Sequence, residues 1–174
     1  ARGVELSADR TLGNWNWWAS YTWSKVTDRI DGDDVQRSCD QRNALQAGFG
    51  WHNEGGWDFS MAASVHSGWP ATDLSLVADG VDDDGEPQFE AVPGTRNADQ
   101  YPTFTSLDLR LSHRFDVKRG TLLAFIEVSN VLNHDNVCCR DWDLEEDDDG
   151  NEFLDYSHDY WMPLLPAIGV LWEF

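Results

Sequence analysis

Two acidic runs, Asp82-Asp83-Asp84-Gly85 and Asp147-Asp148-Asp149-Gly150-Asn151-Glu152, carry the oxygen-rich chemistry that suits a hard cation such as Ca2+, with glycine allowing a sharp turn. Asp82, Asp84, Asp147 and Asp149 are the candidate ligands. Neither run has the alternating ligand spacing of an EF-hand loop, so a solvated acidic surface is the competing reading. A second set of charges, Asp58, Asp108, Arg110, Arg114 and Glu127, is scattered through otherwise alternating segments. Such charges can line a ligand path or pair across strands as wall chemistry. His52 and His66 have no Ser or Cys partner at a readable spacing, so no catalytic constellation and no enzyme activity are expected. Cys39, Cys138 and Cys139 lack zinc-like or CxxC spacing. A disulfide from Cys39 to one of the adjacent pair is one option in an oxidising compartment.

The elements that must position these groups alternate with period two, the strand signal. Trp15, Trp17, Ala19, Tyr21 and Trp23 oppose Asn16, Trp18, Ser20, Thr22 and Ser24 over residues 15–26. Leu45, Ala47, Phe49 and Trp51 share one face of the next segment, and Trp57, Phe59, Met61, Ala63 and Val65 one face of the fourth. Leu107, Leu109, Leu111 and Phe115 oppose Ser106, Asp108, Arg110, Ser112 and Arg114, with His113 interrupting the apolar face. Val4, Leu6 and Ala8 mark a shorter first strand; residues 121–130 are apolar on both sides except Glu127; Ile168, Val170, Trp172 and Phe174 form the last stripe. Runs of about 9–12 residues exceed the roughly 5–6 of a soluble strand and match a tilted membrane crossing.

The connections alternate in length. Residues 12–14, 53–56 and 116–120 are short, glycine-bearing turns, whereas 27–43, 67–103 and 131–164 are long links. The long links hold the charge: 28–42, 79–90 and 141–159 carry 21 acidic and three basic residues, so −18 of the net −20. That balance excludes a nucleic-acid partner, which requires a basic surface. No stretch reaches the roughly 18–20 apolar residues of a membrane helix. Ten Trp residues suit membrane interfaces, with Trp15, Trp51, Trp57, Phe115, Trp172 and Phe174 at the short-turn ends and Tyr21, Trp23, Tyr101, Phe104 and Trp161 near the long links. Two belts, short turns on one side and long links on the other predict an antiparallel up-and-down transmembrane β-barrel segment. A soluble β-sandwich would also alternate, but predicts neither belts nor one-sided links.

Arg2-Gly3-Val4-Glu5-Leu6, Asp40-Gln41-Arg42-Asn43, Ser67-Gly68-Trp69-Pro70, Tyr101-Pro102 before Leu107–Leu111, Glu127–Asn133 and the ending Leu164–Phe174 resemble TonB-dependent outer-membrane receptor barrels, in the family's order. The resemblance implies an all-β barrel of about 22 strands, of which these would be the last seven. It also implies a plug domain and a TonB box, neither visible in residues 1–174. The implied function is TonB-energised uptake of a scarce, bulky ligand (iron chelate, cobalamin, glycan or peptide). A passive porin or secretion channel is the alternative. The implied partners are outer-membrane lipid and lipopolysaccharide, the latter bridged to acidic links through divalent cations, the TonB complex, and the barrel assembly machinery. Val170, Trp172 and Phe174 resemble the terminal signal that machinery reads. The implied location is the bacterial outer membrane, with Phe174 on the periplasmic side.

Overall fold

The computed structural model describes residues 1–81, 87–147 and 150–174. In chain order its strands are β1 (Arg2–Leu12), β2 (Trp15–Lys25), β3 (Thr27–Ile30), β4 (Asp33–Gln36) and β5 (Asn43–His52). Next come β6 (Trp57–His66), β7 (Pro70–Ala71), β8 (Leu74–Val81), β9 (Pro87–Pro93) and β10 (Asp99–Gln100). The series closes with β11 (Phe104–Val117), β12 (Gly120–Ser129), β13 (Val137–Glu146), β14 (Glu152–Tyr160) and β15 (Leu165–Glu173).

Seven long strands form one antiparallel sheet in the order β1-β2-β5-β6-β11-β12-β15. Each follows its neighbour in the chain, so the sheet is up-and-down, and it is open: β1 and β15 each keep one unpaired edge. The segments 2–12, 43–52 and 104–117 run longer than the alternation alone suggests, because pairing with a neighbour carries each beyond its apolar core. Gly13 and Gly120 take φ of 56° and 116° in the two tightest turns, a conformation costly for residues with a Cβ. At Gly120 a Cβ would also collide with the Glu173 carbonyl.

The register sorts the side chains. Ala8, Ala19, Ala47, Ala63 and Leu107 lie in one cross-strand row; Phe59, Leu111, Ile126 and Ile168 form another on the same face. The opposite face carries the row Asn16, Gly50, Ser60, Arg110, Glu127. Among the described residues the buried apolar side chains are Pro70 and Ala71, while Ile168 is 84% and Val170 65% exposed. A soluble sandwich would cover that apolar face with a second layer. Among the described residues no second sheet covers that face, unlike a sandwich.

Three expectations need correction. The long links are not plain loops: they pair as hairpins β3–β4, β8–β9 and β13–β14, with a small β7–β10 bridge. Acidic composition lowers strand propensity and hid them, and β13–β14 even sets Asp143 opposite Asp155 and Glu146 opposite Glu152. Phe104 is not part of an apolar belt, because β11 begins in register with His66 and so turns Phe104 to the polar face. Tyr101 and Trp161 likewise pack among the links rather than against an apolar exterior, Tyr101 beside Arg140 and Trp161 against Trp69. Cys39, Cys138 and Cys139 are free thiols, so the optional disulfide is not formed.

Candidate functional site

The polar face is hollowed by small residues. Gly48, Gly50, Ser60 and Ala62 floor it, and the side chains of the neighbouring strand lean over the glycines: the Trp18 indole covers Gly48, and Asn16 Oδ1 lies 2.6 Å from where a Gly50 Cβ would sit. The result is a trough of about 540 Å³ bordered by Asn16, Trp18, His52, Asp58, Arg110 and Glu127. Farther toward the hairpins the same face opens into a polar hollow of about 350 Å³ among Glu5, Ser20, Thr22, Cys39 and Gln46. Ser20 donates to Glu5 at 3.4 Å there.

Four of the five charges expected on this face border the trough: Asp58, Asp108, Arg110 and Glu127. Arg110 Nη1 is 2.9 Å from Glu127 Oε2 across the strand pair, and its guanidinium stacks on the Phe125 ring 3.9 Å below. Phe125 in turn lies over Gly169. That stack explains why residues 121–130 look apolar on both sides: the inward Phe is a pedestal for Arg110. Asp108 is already engaged, its Oδ1 accepting from the Ser106 hydroxyl at 3.0 Å and the Asn130 N–H at 2.8 Å. Arg114 sits on the same face nearer the short turns, opposite Leu123, and makes no ion pair among the described residues.

At the hairpin end, His66 and Phe104 stack nearly parallel at 4.6 Å, and Trp69 and Trp161 extend the aromatic patch. Gly68 permits this, since a Cβ there would strike Tyr101 and lie 2.7 Å from the Pro102 carbonyl oxygen. The hairpins are tied to one another. Asn97 donates to the Gln36 carbonyl at 2.6 Å and to Ser38, while its N–H reaches Thr72. Arg140 bridges Asp73 and, at 2.6 Å, Asp99, with Tyr101 and Tyr156 rings beside its guanidinium. A backbone hydrogen bond from Gln100 and the Arg140 contact hold the Asp99 carboxyl below its usual range. Burial opposes the Arg140 charge, but the hydrogen bond to Asp99 and the nearby carboxylates outweigh it and raise its pKa. Burial pushes the Tyr101 hydroxyl up.

Among the described residues the buried polar side chains other than Ser112, which lies within β11, stand in the links and where strands pass into them. Asp40 is 1% exposed and accepts from the Val26 N–H at 3.1 Å and from Arg42 at 3.0 Å. Asn136 bonds both the N–H and the carbonyl of Thr105, extending the edge of β11 with a side chain. Asn130 spans the turn to His134 and Met162.

Asp82, Asp84 and Asp149 fall outside the described residues. The Asp147 carboxylate accepts from the Asn151 backbone and side-chain amides, closing the β13–β14 turn. Among the described residues no group of three or more His, Cys, Asp or Glu is placed to hold a metal. Val170 and Trp172 lie on the exposed apolar face, Trp172 donating to the Arg119 carbonyl at 3.2 Å and packing 5.4 Å from Phe174.

The profile of a family described as TonB dependent receptor-like, beta-barrel, matches residues 1–131. The chain belongs to this TonB-dependent receptor family. No curated protein and no solved structure matches it. Membership assigns the sheet to the bacterial outer membrane and to receptor and transport function. The exposed aliphatic rows lie on one face of the sheet and the trough on the other. Trp18, Asn16, Glu5 and Gln46 were not singled out by sequence reasoning. Their signal was available in the alternation phase, which puts them in step with Ser20 and Thr22 or their partners, but depth came from the glycines across the sheet.

Proposed function

We propose that this sheet is one arc of a closed receptor barrel that takes up a scarce, bulky ligand by TonB-energised transport. In this reading the three hairpins face the outside, the short turns face the periplasm, and a plug domain elsewhere in the receptor fills the lumen. The supporting observation is the continuous sequence of surfaces on one face. Interlocked hairpins lead to two surfaces side by side, the His66, Phe104, Trp69 and Trp161 patch and the polar hollow around Gln46, and then to the trough with Asp58, Arg110 and Glu127. Aromatic rings and paired charges in that order suit a ligand with both flat and polar parts, handed inward in steps. Unpaired edges on β1 and β15 fit this reading, since backbone groups facing lipid must be paired by further strands.

The decisive experiment is conductance of the purified full-length receptor in planar bilayers beside whole-cell uptake of a panel of iron chelates, cobalamin, glycans and peptides. A plugged transporter passes no steady current and loses uptake when the proton-motive force is collapsed. A large steady conductance would instead establish a passive channel and defeat the proposal.

A further inference from the structure

On the apolar face a hollow of about 290 Å³ opens over Ala124, walled by Trp57, Leu111, Phe115 and Ile126, with His113 inside its rim. Its depth comes from Ala124, a small side chain set in register between His113 and Val170. His113 Nδ1 lies 3.1 Å from the Gly56 carbonyl oxygen, which can only accept, so that nitrogen carries the proton. Nε2 is then an acceptor, and it has no partner among the described residues. The ring is fixed by stacking on Trp57 and by an edge contact with Phe115, each at 4.3 Å.

Just past Phe115 the strand pair ends at Val117 opposite Gly120, leaving Lys118 and Arg119 exposed in the turn. These are two of only 12 basic residues in a chain of net charge −20. Asp116 and Glu173 align with Thr121 on the opposite face, so they do not border this rim; Glu54 belongs to the adjoining short turn. The apolar hollow, with His113 on the same rung as Ala124, and the basic turn are about five residues apart along the strand.

We propose that this hollow holds one glycerophospholipid of the inner leaflet. An acyl chain lies over Ala124 against the His113 and Phe115 rings, and the phosphate faces Lys118 and Arg119. The inference rests on the orientation argued above, with the short turns on the periplasmic side.

The test titrates phosphatidylglycerol into the full-length receptor in detergent and counts retained lipid by native mass spectrometry. Wild type retains one molecule. The double variant Lys118→Ser, Arg119→Ser weakens retention by on the order of thirtyfold, since each basic group at an anionic lipid surface contributes about a fivefold factor. Ala124→Phe fills the hollow and removes the bound lipid, whereas Ala19→Phe, elsewhere on the same face, leaves it. Unchanged heat-modifiable gel mobility shows that the variants are folded. Equal retention in all four proteins overturns the proposal. Lipopolysaccharide displacing phosphatidylglycerol from the site also overturns it. Proteolysis of whole cells at the hairpins checks orientation independently, so a failed lipid site and a reversed topology give different results.

Discussion

Asp40, in the link before β5, and Arg110, on β11, show how differently two charged residues behave. Asp40 is sealed, and its carboxylate holds both the first N–H after β2 and the Arg42 guanidinium. Asp40→Ala strands both donors, so the folded barrel should lose about 1–3 kcal/mol, read as a lower temperature for the heat-modifiable gel shift. The Arg110–Glu127 pair is more than a third exposed on both sides, and water screens it. Arg110→Ala should therefore change stability by less than about 1 kcal/mol while weakening ligand binding by about tenfold or more, the factor expected when one charged contact of a binding site is removed. Binding that is unchanged in this variant would remove Arg110 from the path. The positions of Asp58, Asp108, Arg110, Arg114 and Glu127 on a common face were legible from parity alone. What Asp108 bonds was not, because Asn130 is 22 residues away and reaches it only through a turn formed by the finished sheet.

Strand parity is the element-scale property most open to test. Ala19 belongs to a row of alanines on the lipid face, and Ser20, one residue on, faces the lumen wall beside Glu5. Ala19→Arg should destabilise the assembled barrel by about 2–4 kcal/mol more than Ser20→Arg, since a cation at the lipid midplane is far costlier than one in the lumen. Equal effects on thermal gel mobility would displace the register by one residue. The spanning strands were legible because apolar and polar residues alternate along most of them, least clearly in 121–130. The β13–β14 hairpin was not, although Trp142, Leu144, Leu154 and Tyr156 keep the same period, because ten acidic residues over 141–159 read as solvated chain. Its link to β10 carries a pH signature. Asp99 has a folded pKa below its ordinary value of 3.8, so its contribution is complete above that value and lost as pH falls through the lowered one. Amide exchange at 97–101 should stay slow at about pH 5 and accelerate only below the ordinary carboxylate range. Acceleration near neutrality would show that Asp99 does not hold the hairpins together.

At the scale of the whole molecule, the final stripe raises a question of assembly rather than stability. Phe174 is 97% exposed on the lipid side, with Trp172 packed beside it. As a mere belt residue it would contribute about 1.5–3 kcal/mol, like any lipid-buried Phe. As an assembly signal, its deletion from the full-length receptor should stall delivery to the outer membrane, whereas Phe115→Ala should lower stability without slowing arrival. Equal arrival rates in pulse-chase fractionation leave only the belt role. Barrel class and the sidedness of the links could be read from the sequence, because both depend on composition along the chain. The joining of the hairpins could not, since Asn97 and Arg140 find partners between 41 and 67 residues away.

That joining sets where the chain tolerates insertion. Asn97 grips Gln36 and Ser38, and Asp99, two residues later, grips Arg140. Ala98 is thus the spacer of a gauge whose two jaws close on different hairpins. One residue added beside it would pull one jaw off its target, whereas several added at the Gly150 turn would lengthen a tip that leads nowhere else. Diversity of loop length in this receptor is therefore expected to accumulate at hairpin ends, while the stretch 97–99 keeps a fixed length even where its neighbours change.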